Sequence, residues 1–173
     1  TVQAQIASVY LLDANKERLQ PWSVQGLAQE ELGEADFVIG EGTIGQVAQS
    51  GNPLLVPDTT QDDVFVAKTE AARRVRNTLT VSLTVKDEVI GTLEVCNKIT
   101  GAQFTGSDQR VLTAFASQAG IAIDNARLYQ QVSIHLEEVL LLNQVAQAAT
   151  STLDFDEVVH QTLEVLLGTR NIE

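Results

Sequence analysis

Residues 78–96 read TLTVSLTVKDEVIGTLEVC, and this stretch decides the class of fold. Up to Val85, apolar residues alternate with threonine and serine, which is the two-residue period of a strand that buries one face. The polar turn at 86–88 leads into a second alternating run, which ends at Cys96. The stretch therefore predicts an antiparallel β-hairpin with one apolar face and one hydroxyl-rich face.

The hydroxyl-rich face of this hairpin allows two interpretations. A polar strand face is most often exposed to water, but it also suits the floor of a ligand pocket. A basic cluster precedes the hairpin, and its arginines can either contact a ligand phosphate or form a solvated helix face. For a pocket, the predicted ligand-binding residues are Thr80, Ser82, Thr92, Glu94, Arg73 and Arg76.

The rest of the chain is predicted to form short strands before the hairpin in sequence and a long helix after it. Strands are predicted at 6–12, 20–24, 37–39 and 54–56, a helix at 43–50, and a further helix within the polar segment 60–77. From Ser107 the apolar period becomes helical and continues to about Thr150, with Thr105 or Ser107 as its cap. Many short strands joined by hairpin turns indicate an antiparallel sheet.

The second half of the long helix carries a heptad seam. Its apolar positions step by three and four residues, which is typical of a coiled coil, and one core position is an asparagine, a residue that can fix register and oligomeric state. The predicted seam residues are Tyr129, Val132, Leu136, Val139, Asn143 and Ala146. We therefore predict a homodimer through this helix, and the alternative is that the seam packs against its own domain.

Composition limits the functions that the chain can have. Its 173 residues suit one domain with an appendage, and no apolar run reaches the ~20 residues that a membrane-spanning helix needs. The formal net charge of -12 disfavours binding to nucleic acid. The single cysteine, Cys96, excludes an intrachain disulfide and a multi-cysteine metal site, and no metal ligands are predicted. With no leader sequence visible, a cytoplasmic location is expected, either free or as the cytoplasmic part of a membrane-attached sensor.

The segment from Gly40 to Gly45 matches the dinucleotide-binding pattern G-x-G-x-x-G. Two features weigh against that function. The helix that follows has only about two turns, too few for a βαβ crossover, and Glu41 would place negative charge beside a pyrophosphate. We therefore reject a dinucleotide-binding fold.

Residues 42–58 (GTIGQVAQSGNPLLVPD), residues 89–95 (VIGTLEV) and the helix that ends at Tyr129 resemble a GAF domain. The resemblance covers roughly residues 4–130. It implies an α+β fold: an antiparallel sheet of about six strands related to PAS domains, helices on one face, and a pocket on the other under residues 57–77. The implied organisation is a GAF domain at 1–130 without its N-terminal helices, a signalling and dimerisation helix at 131–150, and a helix at 151–173.

Four positions within this resemblance form a narrower pattern, the N-K…F-x-x-x-D-E signature of the GAF domains that bind cyclic nucleotides in phosphodiesterases and cyanobacterial cyclases. This chain has Gln109 where the signature has glutamate. The resemblance implies a pocket-supporting role for the matching residues, and a cyclic nucleotide is one candidate ligand. The alternative is a salt bridge that only fastens a loop to the helix. The matching residues are Asn97, Lys98, Phe104 and Asp108.

The resemblance implies a non-catalytic sensory module of a larger signalling protein, such as a two-component system, with a histidine kinase or cyclase as its output domain. No catalytic residues are predicted, because the only histidines, His135 and His160, lie in the helical extension away from Cys96. A GAF-type methionine sulfoxide reductase needs several cysteines. The competing function is a dimerisation or protein-interaction module with a degenerate pocket. Residues 151–173 resemble the start of a second GAF domain. We expect them either to begin such a domain or to dock where the missing N-terminal helices would lie, on this chain or on a partner chain.

Overall fold

The computed structural model describes residues 2–27 and 36–151, together with Val159 and Leu163, and for residues 145–151 it describes the backbone alone. The strands in this part of the chain are β1 (Ala4–Leu12), β2 (Arg18–Gln25), β3 (Phe37–Val38), β4 (Leu54–Val56), β5 (Thr78–Val85) and β6 (Glu88–Lys98). The helices are α1 (Gly42–Ser50) and α2 (Gly106–Ser151), and a short 3-10 helix covers Ala72–Arg74.

The six strands form one antiparallel sheet in the order β3-β2-β1-β6-β5-β4, which confirms the predicted fold class. The hairpin predicted from residues 78–96 forms β5 and β6. Across the three central strands, Glu94 lies opposite Ser8 on one side and Thr80 on the other. Because side chains of a strand alternate between faces, this row and the rows two residues away share one face.

The apolar face of the sheet packs against the first part of α2. Leu79, Val81 and Leu83 of β5 are fully buried there. Helix α2 contributes Leu112 and Ala116 to the same cluster, at a spacing of four residues that keeps both on one side of the helix. These contacts form the larger of the two apolar clusters in the described part of the chain.

The hydroxyl-rich face carries the short helix α1. The glycine pattern found at 40–45 shapes the entry to this helix, because Gly42 has a φ of 64° and a Cβ on Gly45 would lie 2.2 Å from the carbonyl oxygen of Val38. Ile44 of α1 packs in a cluster with Tyr10. In this antiparallel sheet the glycines therefore serve a tight turn and close packing of α1.

Helix α2 begins at a capping box formed by Thr105 and Asp108. The Asp108 backbone N–H donates to the Thr105 hydroxyl at 3.4 Å, and the Thr105 backbone N–H donates to Asp108 Oδ2 at 2.7 Å. Both groups would otherwise be unpaired at the helix start. Thr105 is therefore the cap.

The segment between β4 and β5 has less helix than the sequence pattern predicts, because only Ala72–Arg74 form a short 3-10 helix. Asp58 accepts the backbone N–H of Thr60, and Asp62 accepts the backbone N–H groups of Val64 and Phe65. Aspartates that bond to the backbone a few residues ahead stabilise turns in competition with helix. These turns give the segment an irregular course.

The chain divides into two compact units, residues 1–125 and residues 126–173. The second unit contains the later part of α2. The helix predicted at 151–173 lies outside the described residues apart from Ser151, Val159 and Leu163. Within the part of the chain that the structure describes, no helix combines the length and the apolar character that a membrane crossing requires.

Candidate ligand-binding site

A pocket lies on the hydroxyl-rich face of the sheet, between strands β1 and β6, helix α1 and the segment 57–77. Its cavity volume is about 60 Å³, more than the ~10–15 Å³ that one water molecule needs. The floor includes Ser8, Tyr10, Glu94 and Cys96, and the walls include Ile44, Phe65, Val66, Lys68, Ala72 and Val75. The pocket thus lies under the segment for which the sequence implied one.

The Glu94 carboxylate is the most deeply buried acidic group of this pocket, with only 6% of the residue exposed. Its Oε1 atom accepts hydrogen bonds from the hydroxyls of Thr43, Thr78 and Thr80 at 3.0, 3.0 and 3.1 Å. Burial raises the pKa of Glu94, and these hydrogen bonds oppose that shift because they stabilise the charged form. The three threonines therefore fix one oxygen of a carboxylate at the pocket floor.

Two other floor residues, Tyr10 and Cys96, have ionisable groups that stay neutral near pH 7. Burial, followed by the nearby charge of Glu94, raises the pKa of the Tyr10 hydroxyl and of the Cys96 thiol. A thiol with a raised pKa is a poor nucleophile, since the thiolate is the reactive form. Cys96 is therefore a small polar residue of the pocket floor.

Lys68 is the cationic side chain of the described pocket lining. Its Nζ atom donates to Glu41 Oε2 at 2.7 Å and to the backbone carbonyl of Asp36 at 2.5 Å, and it lies 4.6 Å from the centre of the Phe37 ring. The hydrogen bond from Lys68 is also the main reason why the pKa of Glu41 is lowered. Lys68 thus joins the pocket wall to the start of α1.

Asn97 fastens the pocket wall to the end of β6. Its Oδ1 atom accepts the backbone N–H of Arg76 at 2.7 Å, and its own backbone N–H donates to the carbonyl of Asn77 at 3.0 Å. Asn97 has a φ of 56°, a conformation that asparagine tolerates better than most residues. The wall residues Ala72 and Val75 lie just before these bonds along the chain.

The next residue, Lys98, connects β6 to the start of α2. Its Nζ atom lies 2.5 Å from Asp108 Oδ2, and 5.9 Å from the centre of the buried Phe104 ring. The hydrogen bond from Lys98 is the largest cause of the low pKa of Asp108, which falls to about 2. None of Asn97, Lys98, Phe104 and Asp108 lines the described pocket. Of the four residues, Asn97 bonds to the wall segment at Arg76, and Lys98 pairs with Asp108 at the start of α2.

Of the residues that the sequence analysis assigned to ligand binding, the structure places some at the pocket and others away from it. Glu94 lines the pocket, and Thr80 is fully buried behind it. Ser82 donates to the Gly51 carbonyl at 2.9 Å. Thr92 is fully buried and is the one residue in the described part of the chain with a buried side-chain oxygen that lacks a hydrogen bond. Arg73 and Arg76 are exposed and lie outside the described pocket lining.

Glu94 is the one residue of the described pocket lining that sequence reasoning assigned to ligand binding. Among the residues of the pocket region that it missed, Thr78, Lys68 and Tyr10 carried some signal. The threonine alternation includes Thr78, the residue two positions before Thr80, and Lys68 belongs to the basic cluster. Tyr10 shares a strand face with Ile6 and Ser8. Thr43 carried no such signal, because it contacts Glu94 across 51 positions of sequence.

In the second compact unit, the described seam residues are exposed. Tyr129, Val132, Leu136 and Val139 are exposed by 77%, 66%, 58% and 39%, and the side chain of Asn143 is also exposed. The side chain of Ala146 lies outside the described residues.

Comparison with known proteins gives a family match over most of the chain. The model of the family described as GAF domain matches residues 1–123. A curated relative, the dual 3',5'-cyclic-AMP and -GMP phosphodiesterase 11 of Drosophila melanogaster, is 33% identical over an alignment of 117 residues that covers 65% of this chain and 8% of that protein. The chain thus spans a small fraction of the length of this relative.

Solved structures show the same fold at low sequence identity. The GAF domain of an Acinetobacter phosphoenolpyruvate-protein phosphotransferase has a TM-score of 0.62 and 23% identity, with 74% of this chain and 75% of that chain covered. A free methionine-R-sulfoxide reductase from Neisseria meningitidis, in complex with its substrate, has a TM-score of 0.62 and 22% identity, with coverages of 73% and 71%.

Proposed function

The chain belongs to the GAF domain family, and on that premise we propose that it binds a small molecule in the pocket above Glu94 and signals through helix α2. GAF domains are typically regulatory or sensory modules in larger proteins. In the proposed function the module has no catalytic role, and the raised pKa of the single cysteine, Cys96, supports this part of the proposal. A cytoplasmic location and an output domain such as a histidine kinase or cyclase are parts of the same proposal.

The observation that carries the proposal is the arrangement along residues 94–98 of β6. Glu94 and Cys96 form the pocket floor, Asn97 holds the pocket wall, and Lys98 pairs with Asp108 in the first turn of α2. A ligand that contacts both floor and wall would favour one arrangement of this strand end. Such a ligand shifts the equilibrium between states only by its difference in affinity for them.

Cyclic nucleotides are a second ligand class to consider, because the chain carries most of the signature at Asn97, Lys98, Phe104 and Asp108 and is related to a cyclic nucleotide phosphodiesterase. These four residues fasten the wall and the helix and lie outside the described pocket lining. The signature thus supports the proposal of a well-formed pocket, and in this proposal the lining residues determine which ligand binds.

Homodimerisation through the exposed seam that begins at Tyr129 is the proposed output of the module. A protein-interaction module with an empty pocket is the alternative function, and it predicts the same dimer without a ligand. The two functions differ only in the pocket, so the decisive experiment concerns ligand retention.

Native mass spectrometry of the full chain, purified gently and then exposed to a metabolite extract, tests the sensory function. We expect a bound small molecule, together with slower amide exchange at residues 106–112 in its presence. Ala72→Phe should fill the pocket and prevent binding, because Ala72 lines the wall, whereas Ala14→Phe changes an exposed turn and should bind normally. A protein that retains no molecule and shows no thermal shift with the extract would favour the interaction module.

A further inference from the structure

The pocket presents a buried acceptor to any ligand. Glu94 is 6% exposed and lines the pocket, and its Oε1 atom is occupied by three threonine hydroxyls. The Cys96 thiol is a further hydrogen-bond partner of the Glu94 carboxyl group, but a thiol is only a weak donor. Among the described residues, no assigned hydrogen bond brings a hydroxyl or N–H donor to Oε2. A buried carboxylate is stabilised by each additional hydrogen-bond donor. An ionised carboxylate accepts hydrogen bonds and cannot donate them. A ligand that brings an N–H donor would therefore complete the hydrogen bonding of this group.

The positive charge of the pocket wall is already compensated. Lys68 donates to the Glu41 carboxylate at 2.7 Å and to the Asp36 carbonyl. An anionic ligand would have to compete with Glu41 for this cation, and the ionised form of Glu94 at the floor would repel it.

The other basic residues of the wall segment do not supply a phosphate site. Arg73, Arg74 and Arg76 are exposed and lie outside the described lining, and Arg73 pairs with Glu70 at 3.1 Å. The described lining therefore weighs against an anionic ligand.

We propose that the pocket selects a compact, largely apolar molecule that presents N–H donors to the Glu94 carboxylate, of the amine, amidine or amino-heterocycle class, and discriminates against molecules with a carboxylate or phosphate group. The apolar wall formed by Ile44, Phe65, Val66 and Val75 suits the body of such a molecule. This inference rests on the proposed ligand-binding function and specifies the chemistry of its ligand.

Benzamidine, benzamide and benzoate test this selectivity, because they share one shape and differ in charge and in donors. We expect millimolar benzamidine to raise the unfolding temperature of the full chain, benzamide to raise it less, and benzoate to leave it unchanged. Adenosine should likewise bind more tightly than cyclic AMP. Equal or stronger binding of benzoate or of cyclic AMP, or no effect of benzamidine, would overturn the proposal.

The Glu94→Gln variant tests the role of the carboxylate directly. The amide keeps the shape and removes the charge, so benzamidine should bind at least about tenfold more weakly, as expected for the loss of a charge-assisted hydrogen bond. Glu70→Gln makes the same change on an exposed residue of the wall segment and should bind as the wild type does. Unchanged benzamidine affinity in a folded Glu94→Gln variant would contradict the proposal.

If Glu94→Gln does not fold, the wild-type series of three probes still decides the selectivity. The ligand found by native mass spectrometry provides an independent outcome. A retained anion would leave the sensory function intact and overturn only the proposed ligand class, whereas the absence of any retained molecule and of any thermal shift would count against the sensory function itself.

Discussion

Lys98 Nζ lies 2.5 Å from Asp108 Oδ2, and the two side chains are only 15% and 14% exposed. The same Oδ2 atom also accepts the backbone N–H and the hydroxyl of Thr105, each at 2.7 Å. One carboxylate oxygen thus connects the end of β6 with the capping box of α2. Hydrogen bonds to a charged acceptor are stronger than those between neutral groups.

Asp108→Asn should lower the free energy of unfolding by about 2 kcal/mol, the usual size of a hydrogen bond to a charged group. The pKa of Asp108 is about 2 in the folded chain, below the ordinary value of 3.8. Its contribution is therefore present above pH 3.8 and is lost as the pH falls toward 2. Chemical denaturation of the wild type and the variant between pH 2 and pH 7 measures this, and the two curves should converge at the acid end.

Asp63→Asn is the matched control for this prediction. Asp63 is exposed and makes no described hydrogen bond or ion pair, so the same loss of charge should change stability by less than ~0.5 kcal/mol. A difference between Asp108→Asn and the wild type that stays constant down to pH 2 would show that the pair with Lys98 is not its source.

Glu94 should give a pH dependence of the opposite sign. Burial raises the pKa of Glu94 above its ordinary value of 4.5, so its contribution to stability is fully present below pH 4.5 and is lost as the pH rises through the folded pKa. Glu94→Gln removes this titration. We therefore expect the unfolding temperature of the variant, relative to that of the ligand-free wild type, to rise as the pH increases from 4 to 8.

Thermal unfolding at several pH values measures this difference in unfolding temperature. Glu137→Gln, on an exposed helix position, is the control. The control should follow the wild type at every pH. Parallel curves for Glu94→Gln and the wild type would mean that Glu94 has the same pKa in the folded and unfolded chains.

Thr80→Val and Thr92→Val form a matched pair on one face of the sheet. Both threonines are fully buried, but Thr80 donates to Glu94 at 3.1 Å whereas the Thr92 hydroxyl has no partner. Thr80→Val should cost ~1–2 kcal/mol in the free energy of unfolding, because the carboxylate loses a donor. Thr92→Val should be neutral or stabilising, since it removes an unpaired polar group. Denaturant titrations of the two variants decide this, and equal losses would contradict it.

The hairpin was predictable from sequence because its information is local. The alternation in residues 78–96 fixes which side chains share a face, so the row of Thr80 and Glu94 follows from the two-residue period and the turn. The contact of Thr43 with Glu94 was not predictable in this way, because it depends on how α1 packs on the sheet.

The surroundings of the basic residues in segment 57–77 were also not predictable from the local sequence. Their sequence pattern does not distinguish Lys68, which lines the pocket, from Arg73, which is exposed. The course of the segment depends on the turns at Asp58 and Asp62 and on the bonds to Asn97, and these bonds form only when β6 is in place.

The heptad seam of α2 predicts that Leu136→Asp dissociates a dimer of the full chain. Leu136 is 58% exposed and lies at a core position of the seam, where a buried carboxylate without a partner is unfavourable. Leu141 is 62% exposed but lies at the outer position of the same heptad, so Leu141→Asp should leave the dimer intact. Sedimentation equilibrium over a range of concentrations measures both variants. A monomeric wild type, or equal dissociation by the two substitutions, would exclude the seam as the dimer interface.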